Sequence, residues 1–137
     1  MNCPFCETDN DRNRIIRRFK TCYVMFANPR LVPGHLLVIP YRHVARFSEL
    51  DHIERQELLD IIIEYQEKIL KHYPGTQVQQ NYMPFVPDSR RKVTHLHVHI
   101  KPRDDRDEIY LKVISSENTL YTDLTESEAN EWMQKLV

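Results

Sequence analysis

Glycine is scarce in this chain. Of 137 residues only Gly34 and Gly75 are glycine. A dinucleotide fingerprint needs three glycines within six residues, and a P-loop needs two, the second followed by lysine. Here Gly34 precedes His35 and Gly75 precedes Thr76, so neither cradle can be assembled. Long apolar runs are missing as well. The longest, Cys22 to Ala27, falls far short of the ~20 residues a membrane span needs. The N-terminal MNCPFCETDNDRNR carries no apolar stretch of export type, so a cytoplasmic location is expected. The three cysteines, an odd number, do not make a disulfide framework. In a reducing compartment the Cys3–Cys6 pair reads as metal or redox chemistry. An excess of one charge is also lacking. Lys and Arg number 19 against 20 Asp and Glu, a net charge of -1, which gives no general footprint for nucleic acid or an acidic membrane.

The remaining composition is that of one globular domain spanning 1–137, with 41% apolar and 28% charged residues. Residues 14–27 read as two short strands and 28–34, NPRLVPG, as a loop. HLLVIP at 35–40 is an apolar run of strand length. The strongest helix lies at about 49–72. Ser48 and Asp51 resemble a capping box, and Leu58, Ile61, Ile62, Tyr65 and Ile69 recur at three- and four-residue spacing before Pro74-Gly75. Strands are expected at 76–83, 93–102 and 109–115. A second capping box, Thr125 to Glu128, opens a short C-terminal helix through Leu136. Runs of strands with one main helix predict an α+β domain with an antiparallel sheet of about five strands.

The informative segment is His95-Leu96-His97-Val98-His99-Ile100. Seven histidines place an HxHxH pattern in roughly 1% of random orderings, so chance is a poor account of it. On a strand the side-chain period is two, so the three histidines share one face and the three aliphatic residues share the other. From these residues alone three functional readings stay open. The face is merely solvated, or the imidazoles hold a metal with an open water position, or a neutral imidazole attacks phosphorus while its neighbours bind phosphate oxygens.

HLHVHI resembles the signature of the histidine triad (HIT) family, with Lys101 standing where the pattern has an apolar residue. VPGHLLVIPYRHVARFSEL at 32–50 resembles the family's other hallmark, and CPFC resembles the CxxC of its zinc-bearing branch. The three motifs occur in family order over about residues 3–103. The resemblance implies a HIT-like fold, commonly paired as a homodimer, and action on the α-phosphate of a nucleotide substrate. That substrate would be a dinucleoside polyphosphate or a phosphoramidate, cleaved through a covalent nucleotidyl-histidine. The product is released by hydrolysis or by transfer to another acceptor. It implies His97 as nucleophile, His99 on the phosphate and leaving-group side, and His35 as a supporting residue. It also implies structural zinc on Cys3, Cys6, His43 and His95. Asn28 falls near the position that binds ribose hydroxyls, one residue out of step with His35, and Phe26 is placed to stack on a base. The family's glycine-bearing phosphate loop is replaced by PFVPDSRRKVT. Ser89, Arg90, Arg91, Lys92 and Thr94 are the donors that would take its role. Two other functions remain: a zinc-stabilised nucleotide-binding module with little turnover, and a metal-dependent hydrolase using His95, His97 and His99.

Overall fold

A computed structural model describes residues 3–7 and 14–137. Residues 1–2 and 8–13, within the polar N-terminal stretch read for export signals, lie outside the described residues. The elements run β1 (Ile15–Arg18), β2 (Cys22–Phe26), β3 (Leu36–Pro40), α1 (His52–Leu70), β4 (Gly75–Gln79), β5 (Val98–Arg103), α2 (Glu108–Glu117) and α3 (Glu126–Leu136). The strands form one antiparallel sheet in the order β1-β2-β3-β5-β4. This is the predicted α+β class.

Alternation along the strands sorts the core into two faces. Cys22, Val24, Leu36 and Val38 join Leu96, Val98 and Ile100 beneath Leu58, Ile61 and Tyr65 of α1. Tyr23, Met25, Leu37 and Ile39 lie on the opposite face and are covered partly by Phe5. The aliphatic half of the histidine ladder therefore packs under the long helix, as its period predicts, and the other face is left for the histidines.

Helix α1 starts later than expected, at His52. Its capping box is Asp51 with Glu54: Asp51 accepts from Glu54 N at 2.8 Å and Glu54 accepts from Asp51 N at 3.0 Å. Glu54 is buried and also grips Arg42, at 2.7 Å. That pair anchors the turn carrying His43 to the helix start, and each partner stabilises the charged form of the other.

Three strands are shorter or different from expectation: β4 ends at Gln79 and not at residue 83. The sheet ladder of β5 begins at Val98, not at residue 93. Continued upstream, its register with β3 brings Leu96 opposite Pro40, which has no N–H to donate. Leu96 N instead donates to Val44 O at 2.7 Å. The stretch 109–115, read as a strand, lies within helix α2. Asp107 decides this by capping it: its carboxylate accepts from Tyr110 N at 2.7 Å and its carbonyl accepts from Leu111 N at 3.1 Å. Arg103 donates to the same carboxylate at 2.8 Å and, as the largest influence, holds its pKa down at about 2. The Thr125 cap and α3 form as predicted.

Gly34 sets the entry to β3. Its φ is +81°, and a Cβ there would lie 2.9 Å from Pro102 Cγ. Both the left-handed backbone and the close approach require glycine. The residue delivered next into the sheet is His35.

Candidate active site

The histidines are distributed by their hydrogen bonds. His97 donates from Nδ1 to the His95 carbonyl at 2.7 Å, which leaves the lone pair on Nε2. Leu31 N donates to His35 Nδ1 at 3.2 Å, so the neutral His35 carries its proton on Nε2. That nitrogen lies 2.8 Å from His99 Nδ1, which therefore accepts, and the His99 proton resides on Nε2. Adjacent triad residues are thus held in opposite tautomers: His97 offers a nucleophilic lone pair and His99 offers a donor.

Electrostatics reinforce this arrangement. Burial is the largest cause lowering His35 to about 4, followed by the Lys101 ammonium and His97. Burial likewise leads in lowering His99 to about 3, with His97, His35 and Lys101 adding to it. His97 is lowered by burial and opposed by its carbonyl partner. All three are neutral near pH 7, the form a nucleophile and a neutral donor require. Lys101, where the triad pattern has an apolar residue, is buried and donates to Gln79 at 3.1 Å.

His35, His97 and His99 line a cavity of about 540 Å³. Arg14, Arg30, Arg90 and Arg91 surround them, with Asn28 and Ser89 as further polar neighbours. No carboxylate lines it among the described residues. In a chain of net charge -1 this is a local concentration of guanidiniums suited to a polyanion. Arg90 and Arg91 stand at the tip of a tight hairpin closed between Ser89 and Lys92, with Ser89 N donating to Lys92 O at 2.8 Å. Asp88 braces the hairpin by accepting from Lys92 Nζ at 3.0 Å and from the Thr94 hydroxyl.

Two expected substrate contacts fall elsewhere. Phe26 is not among the cavity residues. It shares strand parity with Cys22 and Val24, whose side chains face α1, and it is 46% exposed. Lys92 borders a neighbouring cavity beside Cys3, Cys6 and His43. Conversely, Arg14, Arg30 and Phe5 line the histidine cavity without a local motif to mark them. Only the nearness of Arg30 to Asn28 in the loop signalled one of them.

Cys3, Cys6, His43 and His95 bring one ligand atom each to within 4.8 Å of one another. Cys3 and Cys6 Sγ each lie 3.4 Å from His95 Nδ1, and Cys6 Sγ lies 3.3 Å from His43 Nδ1. A tetrahedral cation with Zn–S and Zn–N bonds of about 2.3 and 2.0 Å separates its ligands by roughly 3.3–3.8 Å, so these three separations fit. His95 Nε2 donates to Pro40 O at 2.8 Å, which turns the Nδ1 lone pair towards the thiols, the outer-shell contact expected of a ligating imidazole. Burial, followed by the neighbouring Cys3, raises the Cys6 thiol, an effect a dication would reverse. Among the described residues, His95, His97 and His99 do not form a shared metal group. His95 points at the thiols, while His97 and His99 have separate partners.

The HIT domain profile matches residues 8–106. The chain belongs to the HIT domain family. It is 32% identical over 100 residues to the asymmetrical bis(5'-nucleosyl)-tetraphosphatase of Schizosaccharomyces pombe, covering 73% of this chain and 51% of that protein. The chain thus spans about half the length of that relative. It is 27% identical over 141 residues to the AP-4-A phosphorylase of Mycobacterium tuberculosis, covering 96% of this chain and 71% of that one. The HIT fold recurs in a hypothetical protein from Leishmania major, with TM-score 0.69 and 20% identity over 98% of this chain and 92% of that one. A HIT family member from Bacillus subtilis superposes with TM-score 0.62 and 20% identity over 91% and 100% of the two chains. Among the described residues no helix is long and apolar enough to cross a membrane.

Proposed function

We propose that this HIT protein cleaves a nucleoside 5'-phosphoryl substrate at its α-phosphorus through a covalent intermediate on His97. The observation that carries the reading is the pairing of opposite tautomers at His97 and His99 inside a cavity bearing four arginines. His97 Nε2 attacks phosphorus in line, the phosphorus–leaving-group bond breaks, and a nucleotidyl-imidazole forms. The His97 Nδ1 proton stays on Nδ1, and its hydrogen bond to the His95 carbonyl disperses the positive charge that develops on the ring. His99 Nε2–H donates to the phosphoryl oxygens or to the departing oxygen as negative charge builds. Water, or another acceptor, then attacks the same phosphorus and returns the electron pair to His97.

The leaving group is read as a further chain of phosphates. Four guanidiniums exceed what one α-phosphate needs, and the names of the fission-yeast and mycobacterial relatives support a dinucleoside polyphosphate. Asn28 and Ser89 supply neutral contacts at the cavity wall. Cys3, Cys6, His43 and His95 would hold zinc. The chemistry such a closed site supplies is structural, fastening the N-terminal segment to the triad. Free thiols of this kind suit a reducing compartment, the cytoplasm. A homodimer is part of the same reading. Helix α3 buries none of its side chains, and Leu120, Tyr121 and Leu124 before it are exposed, an apolar surface fitted to a second copy. Sedimentation velocity tests the dimer.

The catalytic reading is tested by mixing the protein with substrate radiolabelled at the α-phosphate and quenching within one turnover. Label bound to wild type, acid-labile as a phosphoramidate and lost in His97→Ala, is expected. Turnover at wild-type rate in His97→Ala would overturn it.

A further inference from the structure

We propose that Phe5 is the positioning residue of His97. In this arrangement the Cys3–Cys6 knuckle presses its ring against the nucleophile, so that metal binding and nucleophile orientation are coupled. The inference rests on the reading of His97 as nucleophile and of the four-residue cluster as a metal site.

Phe5 lies between the two cysteines and is 8% exposed. Its ring stands edge-on to His97, with centroids 5.1 Å apart and planes at 66°. It makes a second edge contact with the metal-side His95, at 6.0 Å and 83°. Its carbonyl accepts a buried hydrogen bond from the Tyr23 hydroxyl at 2.7 Å. The knuckle is therefore held by its thiols on one side and by Tyr23 on the other, with the ring directed at the triad.

The hydrogen bond from His97 Nδ1 settles which nitrogen is basic. It does not settle the plane of the ring, because the terminal torsion of histidine is broad. In-line attack is sensitive to that plane. An aromatic wall against one side of the imidazole narrows the torsion, and edge-to-face packing adds its own preference. Phe5 lines the cavity as well as touching His97, so its two contributions separate kinetically: orienting the nucleophile acts on the chemical step, whereas contact with substrate would act on KM. A cation on Cys3, Cys6, His43 and His95 would stiffen both flanks of Phe5, and its loss would free the ring.

The test uses full-length Phe5→Leu and Phe5→Ala, with metal per chain measured by elemental analysis. Single-turnover trapping on α-labelled diadenosine tetraphosphate gives the rate, and ¹⁵N–¹H spectra follow the His97 Nδ1 proton. Both variants are expected to keep their metal and to hold KM within about twofold. The first-turnover rate is expected to fall about three- to tenfold in Phe5→Ala. The His97 Nδ1 proton should exchange faster with water, and chelating metal from wild type should change the same signal. A metal-loaded Phe5→Ala with wild-type first turnover and an unchanged His97 signal would overturn the proposal. If Phe5→Ala does not fold, the same readings on Phe5→Leu decide, and an unchanged His97 signal after chelation of wild type overturns the coupling. A wild type that never traps nucleotide counts against His97 as nucleophile, while the imidazole signals still decide the role of Phe5.

Discussion

His35 Nε2 lies 2.8 Å from His99 Nδ1, and this contact places the His99 proton on the nitrogen available to substrate. Removing it leaves a part-buried acceptor without its donor and frees His99 to adopt the other tautomer. His35→Ala is expected to lower kcat by about tenfold or more, in line with roughly 1–3 kcal/mol for an orphaned buried polar group. His35→Gln keeps an N–H near the position of Nε2 and should retain more activity than His35→Ala. Steady-state kinetics on both variants check this. Equal losses would show that donation to His99 is not what His35 supplies.

Stability should fall in acid, with a slope set partly by the same pair. His35 and His99 are held near 4 and 3, below the ordinary histidine value, chiefly by burial. In the window from about pH 6.5 down to those values the unfolded chain binds protons that the folded chain refuses. The unfolded state then holds more protons, so the pair's contribution to unfolding free energy decreases as pH falls through that window and is constant above it. Denaturant midpoints measured at pH 7.5, 6 and 5 should decline progressively. The decline should be smaller in His35→Gln, which removes one of the two titrating groups while leaving the cysteine cluster in place.

The ladder was legible because period two is rigid: once 95, 97 and 99 share a face, Leu96, Val98 and Ile100 must share the other, and they lie under α1. The four-residue cluster was legible only through family resemblance, since nothing local joins Cys3 to His95 across the chain. Strand parity was the weak link for Phe26. Its residue type suits base stacking, but the face it occupies depends on which side of the sheet α1 covers. Phe5, Arg14 and Arg30 reach the cavity from three separate segments of the N-terminal thirty residues, and no local pattern announces that. Helix α2 was misread because its apolar content resembles a strand, whereas a single aspartate cap at Asp107 fixes the helical start.

Disassembling the cysteine cluster should separate metal content from catalytic residues. Cys3→Ser with Cys6→Ser leaves His97, His99 and His35 untouched but removes both thiolates. Bound metal is expected to drop from one per chain to none, and thermal stability should fall, because ligand binding to the folded state stabilises it in proportion to its affinity. Elemental analysis and calorimetry read the two effects. Unchanged metal content in the double variant would show that the four residues are not the ligands.

The arginine hairpin should determine which leaving groups are accepted. Arg90 and Arg91 occupy a two-residue tip between Ser89 and Lys92, and Asp88 holds its base through Lys92 and Thr94. The brace fixes the hairpin before substrate arrives, so less order is lost on binding. Both guanidiniums are exposed, which limits each contact, and salt should weaken them. Arg90→Ala with Arg91→Ala is expected to raise KM for diadenosine tetraphosphate by about three- to tenfold at low salt, and by less at high salt. An adenosine phosphoramidate has no phosphate beyond the α position, so its KM should barely move in the same variant. Asp88→Asn, which loosens the hairpin without removing a cation, should give a smaller change of the same sign. Equal effects on both substrates would place the two arginines on the α-phosphate itself and not on the departing chain.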